Sequence, residues 1–279
     1  MLDMQEDQEA VIAFLLEPRT YGEEGPVERI DTHAAIVFLV GTRAFKMKKA
    51  VTFPFLDFST LALREGAVKR EIALNRRYAP EIYLGVLAVT RRADGSLALG
   101  GDGAAVEWLV AMRRFDEAAT LDHLSAAGPL APAIVAKLAT AIAGMQSLAE
   151  WREAAPWIAD LSGYVEQNHT AFLADPALFP PAAVHRLTEV ARAEHTRIRD
   201  LLFERGRLGC IRLNHGDLHA GNVAVIDDRP VPFDAIEFDD RIATGDILYD
   251  SGFLIMDLIG RGQGRAANVL LWRLIVETA

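Results

Sequence analysis

The chain has 279 residues, 51% of them hydrophobic and 24% charged, fractions ordinary for a folded domain. Its formal net charge is −10, which argues against a nucleic-acid binder, since that role needs a basic footprint. No apolar run reaches the roughly 18–20 residues of a membrane span, the acidic start Met1–Gln8 lacks the basic region of a signal peptide, and the single cysteine, Cys210, has no internal partner, so a cytoplasmic location is expected. The charge is uneven, −1 over residues 1–115 and −9 over residues 116–279. Such an acidic excess serves solubility or attracts a metal or a cationic ligand.

In chain order, residues 5–16 have helical apolar spacing and end before Pro18. Residues 34–40 and 43–48 read as two strands joined by a two-residue turn, Gly41-Thr42. Ser59 is placed to cap a helix running to about Tyr78 and stopping before Pro80. Two further strands are expected at 82–91 and 105–112, with a Gly-rich turn at 100–103 between them. Residues 1–112 therefore read as a short helix followed by β-β-α-β-β. From there helices dominate. Leu130, Ile134, Leu138, Ile142, Met145 and Leu148 recur every three to four residues. Residues 182–205 predict a long helix opened by Pro180-Pro181 and closed by Gly206. Short strands are expected at Val223–Ile226 and Val231–Asp234 around the turn Asp227-Asp228-Arg229-Pro230. Helical patterning returns at Asp246, and at Leu270–Thr278 it stops inside an unfinished amphipathic helix, which implies continuation past residue 279.

The chemistry concentrates in Asn214-His215-Gly216-Asp217-Leu218-His219-Ala220-Gly221-Asn222, which fits the H-x-D-x-x-x-x-N spacing of a kinase catalytic loop. Phosphoryl transfer needs an acceptor for the attacking hydroxyl's proton, a role open to Asp217, and a neutral oxygen donor to magnesium, a role open to Asn222. A carboxylate just after a short hairpin completes such a metal site. Asp234 stands there, twelve residues after Asn222, with Glu237 close by as a second ligand or a support.

The run HGDLHAGN, a hairpin, FDAIEFD and then GDILYD resembles the aminoglycoside phosphotransferase and choline kinase superfamily. Thr32-His33, AFKMKK at 44–49, FLDFST at 55–60 and the run at 74–86 are similar to the N-terminal kinase-like domain of bacterial two-domain proteins that append a P-loop ATP-binding domain. The resemblance implies an α+β, bilobal protein-kinase-like fold: a small β-rich N-lobe over residues 1–112 and a mainly helical C-lobe over residues 113–279. It implies ATP and Mg²⁺ as cofactors. It assigns Lys46 to the α/β-phosphates, paired with Glu71 of the following helix, and leaves Lys48 and Lys49 exposed. Backbone groups near Met112 and Arg113 would meet the adenine. His219 would contact the γ-phosphate or brace the loop, His215 belongs to the catalytic motif, and Asp246 and Asp250 would cap the next helix and hold the loop. No G-x-G-x-x-G marks the first hairpin, so Thr32 is the candidate hydroxyl donor to phosphate in its place.

The implied function is ATP-dependent phosphoryl transfer to a hydroxyl of a small molecule, with choline-like, sugar-like and amino-sugar acceptors all open and the acidic excess favouring a cation. The alternative is a non-catalytic nucleotide sensor that regulates an appended domain. Only the few residues from Asp240 to Gly245 separate the metal motif from GDILYD, too short for the activation segment of a protein kinase.

Overall fold

The structure, a computed structural model, describes residues 2–278. Helix α1 (Leu2–Leu15) precedes strands β1 (Glu28–Asp31), β2 (Ala35–Val40) and β3 (Arg43–Lys48), two short strands β4 (Thr52–Phe53) and β5 (Leu56–Asp57), helix α2 (Leu61–Asn75), and strands β6 (Tyr83–Arg91), β7 (Leu97–Leu99) and β8 (Ala104–Arg113). These build a six-stranded antiparallel sheet in the order β1-β2-β3-β8-β6-β7. Alternation along the strands explains its two faces. Phe38, Phe45, Met47 and Leu109 turn to one side and pack with Val11 and Leu15 of α1. Val110 turns to the other side and packs with Val68 and Ile72 of α2. A buried ion pair, Arg64 Nε to Glu107 Oε1 at 2.9 Å, ties α2 to β8.

The second half is helical: α3 (Leu121–Ala127), α4 (Pro132–Leu148), α5 (Ala154–Leu173), α6 (Pro181–Arg207), the short α7 (Asp240–Ala243), α8 (Ile247–Gly260) and α9 (Gly264–Thr278). Apolar residues of α4, α8 and α9 bury Leu218, Ala220 and Val223, so the loop carrying the sequence motif rests directly on a core. Strand β9 (Ile211–Leu213) pairs with β12 (Thr244–Asp246), and β10 (Val223–Ile226) pairs with β11 (Arg229–Pro232). The architecture is thus α+β, a β-rich sheet followed by helices. No described helix is long and apolar enough to cross a membrane.

Several boundaries differ from expectation. Thr60, not Ser59, caps α2, its hydroxyl accepting from the Leu63 N–H. That helix ends at Asn75 rather than Tyr78, because the Tyr78 and Ala79 N–H groups turn back to the Asn75 carbonyl. Gly206 lies inside α6, and Gly209, at φ +74°, follows the helix end. Strand β11 occupies 229–232 rather than 231–234, since the turn is the two residues Asp227 and Asp228, both at positive φ.

Candidate active site

The motif loop begins where β9 ends. Gly216 adopts φ +82°, and a Cβ there would lie 3.1 Å from Ala243 Cα and 3.1 Å from Ile236 Cδ1, so the tight passage needs glycine. Buried Asp250 of α8 accepts from the His215 N–H at 2.7 Å and from the Gly216 N–H at 3.0 Å. Burial pushes its carboxyl above the usual range, against these two bonds. Asp246 caps α8, accepting from the Leu248 N–H at 2.8 Å. His215 is fully buried. Its Nε2 lies 2.8 Å from the Phe233 carbonyl and its Nδ1 accepts from the Asp217 N–H at 3.3 Å, which fixes the ring proton on Nε2. The ring touches no open space and links the Asp217 N–H to the Phe233 carbonyl.

Asp217 points outward, its side chain 45% exposed. Asn222 Nδ2 donates to the Asp217 carbonyl at 2.9 Å and to Asp217 Oδ2 at 3.2 Å. His219 Nε2 stands 3.6 Å from Asp217 Oδ2, and His219 Nδ1 accepts from the Gly221 N–H at 3.1 Å.

Asp234 follows β11 at φ +64°, a left-handed conformation that is strained for a residue with a Cβ. Its surroundings hold it there. The Asp234 N–H donates to buried Tyr83 Oη at 3.0 Å, and the Phe233 N–H donates to the Asn222 carbonyl at 2.9 Å. The Ala235 N–H donates to Asn75 Oδ1 at 2.8 Å, and the Ile236 N–H donates to the His215 carbonyl at 2.9 Å. Tyr83 and Asn75 thus place the loop, although neither stood out in the sequence as a site residue. Each lies some 150 residues from its partner in the chain, and no local spacing signals that.

Lys46 Nζ sits between Glu71 Oε1 at 3.0 Å and Asp234 Oδ1 at 2.6 Å. Burial works to lower its pKa, but Asp234 and Glu71 outweigh it and hold the ammonium well above its usual range. Asp234 is held below the usual carboxylate range, the attraction of Lys46 overcoming the opposing effect of burial. Glu71 is fully buried and reaches only the lysines. The expectation that Lys48 is exposed is corrected. It shares the face of β3 with Lys46, is 3% exposed, and its Nζ lies 2.5 Å from Glu237 Oε1. Lys49 lies beside Asp31 at the surface, 3.0 Å away.

A cleft of about 380 Å³ runs from the sheet to the helical half. Thr32, Lys46, Met112, Arg113, Gly221 and Asp234 all line it. Of the other expected site residues, His215, Glu71, Asp217, Asn222, His219 and Glu237 do not line it; only Gly221 brings the motif loop to its wall, while Glu237 turns to Lys48 and His219 to Asp217. Thr32 spends its hydroxyl within the β1–β2 turn, donating to the Ala35 carbonyl and accepting from the Ala35 N–H. The Arg113 and Arg114 N–H groups are spent on the carbonyls of Ile82 and Thr42. The Phe115 N–H is left without a partner among the described residues, in the same cleft. A larger groove of about 770 Å³ between α1 and the β7 region lacks any such convergence of lysine and carboxylates.

A six-stranded sheet over helices, with this cleft between them, defines the protein-kinase-like fold of the aminoglycoside phosphotransferases. One of these, from Streptomyces rimosus, superposes with a TM-score of 0.51 at 17% identity, over 95% of this chain and 91% of its own. A glucosamine kinase in complex with glucosamine, ADP and inorganic phosphate superposes with a TM-score of 0.50 at 17% identity, over 90% of this chain and 67% of its own. In sequence, uncharacterized proteins of Mycobacterium tuberculosis and Mycobacterium bovis are 31% identical over 235 residues, 82% of this chain and 45% of theirs. The chain therefore spans less than half the length of those relatives. No protein-family model matches it.

Proposed function

We propose that the chain is an ATP-dependent phosphotransferase acting on a hydroxyl of a small molecule. The observation that carries the reading is Lys46 Nζ, placed between Glu71 and Asp234 in a cleft that also reaches the Asp217–Asn222 loop. Lys46 and Asp234 line the cleft, and behind them Glu71, Lys48 and Glu237 are buried, so the line of five holds three carboxylates to two ammonium groups. The surplus negative charge fits a cation. Asp234 Oδ2 and Asn222 Oδ1 are hard oxygen donors, as magnesium prefers. Among the described residues no group of three or more His, Cys, Asp or Glu side chains is placed to hold a metal, so phosphate and water must complete the shell, the usual arrangement for nucleotide-bound magnesium. Asp234 and Asn222 would hold such an ion, which would supply positive charge against the phosphates.

The chain's own residues do the rest. Ile30, Val37, Leu39 and Ala44 give the base an apolar roof, and the free Phe115 N–H meets its edge. Lys46, steadied by Glu71, turns its ammonium to the phosphates. Asp217, with Oδ2 engaged by Asn222, presents Oδ1 to the acceptor hydroxyl and takes its proton. Catalysis is then mostly positioning and charge neutralisation. The acidic surplus of residues 116–279 favours a cationic acceptor, and the additional length of the curated relatives is read as an appended P-loop domain.

The test is a phosphorus NMR screen of hydroxylated small molecules with ATP and magnesium. Phosphoryl transfer that Asp217→Asn abolishes is the expected result. A wild-type protein that binds ATP but turns over with no acceptor and not with water, and that Asp217→Asn leaves unchanged, would replace the kinase with a nucleotide sensor.

A further inference from the structure

The face of β3 that carries Lys46 carries a second buried lysine, and the function proposed above does not use it. Lys48 Nζ lies 2.5 Å from Glu237 Oε1 and 2.5 Å from Glu71 Oε2. The contacts run in one line of alternating charge: Asp234, Lys46, Glu71, Lys48, Glu237. Its middle three members stand on β3 and α2, while both ends stand on the 234–237 loop. The line therefore joins the sheet to the loop twice.

The two joints differ in kind. Asp234 opens to the cleft, its side chain 40% exposed. Glu237 is shut in, at 4% exposure. Beside it Phe238 packs against Leu56 and Phe58 of the sheet half, with its ring 5.9 Å from Phe55. The Lys48 ammonium lies 5.3 Å from the Phe58 ring. A charge enclosed in this way is stable only while its partner stays, because leaving either one alone in an apolar site is strongly unfavourable. If Glu237 swung into the cleft, Lys48 would keep only Glu71, which it shares with Lys46. Asp234 can release Lys46, because the cleft offers it water or a cation instead.

We infer that the Lys48–Glu237 pair is a fixed joint that positions Asp234 against Lys46, and that Glu237 acts through Lys48 rather than as a metal ligand. The inference rests on the proposed phosphotransferase site. It makes Lys48 and Glu237 positioning residues, with Lys46–Asp234 as the joint that exchanges when nucleotide enters.

The experiment compares Lys48→Met, Glu237→Gln, Lys48→Arg and the double variant Lys48→Met/Glu237→Gln in the 279-residue chain. One arm needs no nucleotide: hydrogen exchange at the Ala235 and Ile236 amides. Loss of the joint should speed both by about tenfold or more, with the α4 amides unchanged, since exchange reports local opening. The other arm is the magnesium concentration needed for half-maximal ATP binding by calorimetry. It should rise equally in both neutral single variants, rise no further in the double variant, and stay near wild type in Lys48→Arg. Non-additivity of this kind marks one coupled pair. If a single variant fails to fold, the double variant, which removes one charge of each sign, carries the test. Unchanged exchange at Ala235 and Ile236 overturns the joint. A magnesium requirement raised by Glu237→Gln but not by Lys48→Met makes Glu237 a metal ligand and overturns it as well. If wild type binds no nucleotide, the phosphotransferase reading falls, and the exchange arm alone decides the joint.

Discussion

Asp217 and Asp234 are both half-open carboxylates, but only Asp234 lines the cleft, and their partners differ. Asp217 is held by an amide and faces a histidine, and Asp234 is held by a lysine. Asp217→Asn keeps size and removes the proton acceptor. General-base help is worth about 10²–10⁴ in rate, roughly 3 to 5 kcal/mol of barrier. Turnover should fall by that factor while calorimetry shows ATP–magnesium affinity little changed. Asp234→Asn removes the charge paired with Lys46 and, on the proposed reading, a metal ligand, so binding and turnover should fall together. A matched loss of affinity in both variants would contradict this division. His219 supplies a prediction about pH. The Asp217 carboxylate, 3.6 Å away, raises its pKa above 6.5, against an opposing effect of burial. The raised value means that protonated His219 favours the folded state. That contribution is fully present below 6.5 and is lost as pH rises through the folded midpoint. An NMR titration should place the imidazole midpoint above 6.5 in wild type and lower in Asp217→Asn. A midpoint indifferent to that substitution would show the two side chains to be uncoupled.

The catalytic-loop glycine acts at the scale of the element, because it lets β9 pass into the loop beneath Ile236 and beside Ala243. Gly216→Ala adds a Cβ at positive φ and 3.1 Å from two neighbours. Strain of this kind costs on the order of 1–3 kcal/mol. Urea denaturation should show a loss in that range, and turnover should fall further because Asp217 is the next residue. A variant as stable as wild type would mean that the loop relaxes freely. The β2–β3 hairpin was legible in the sequence because two alternating runs flank Gly41-Thr42, and α4 because its apolar residues recur at helical spacing. Strand β1 was not, since Glu28–Asp31 is an edge strand with only Ile30 half-buried and no alternation to detect. The proximity of His215, Asp217 and Asn222 was legible because their spacing is local. Lys48 was misjudged for the opposite reason. It stands two residues along β3 from Lys46, but the acids that make burial tolerable, Glu71 and Glu237, are 23 and 189 positions away.

At the scale of the whole molecule, the sheet and the helical half are built from separate apolar clusters, one under α1 and one among α4, α8 and α9. The 233–238 loop and the strand following α2 hold them together around the cleft. A ligand that fills the cleft touches both halves, so it should stabilise the fold as a unit. Binding to the folded state alone adds about 2.7 kcal/mol when free ligand stands at 100 times Kd. The charge arrangement adds a condition. On the proposed reading, ATP would bring further negative charge to a cleft wall where Asp234 is already paired with Lys46, and that pair would have to part to receive it. On the proposed reading, Asp234 would hold a divalent cation, whose charge would offset both and leave Lys46 to the phosphates. Thermal unfolding of the 279-residue chain should therefore show a rise in Tm with ATP and magnesium, almost none with ATP and a chelator, and almost none with magnesium alone. In Asp234→Asn the rise should shrink, because the residue that couples cation to nucleotide has lost its charge. Equal shifts with magnesium and with chelator would mean that nucleotide binds without the cation, and Asp234 would then be no more than a partner of Lys46.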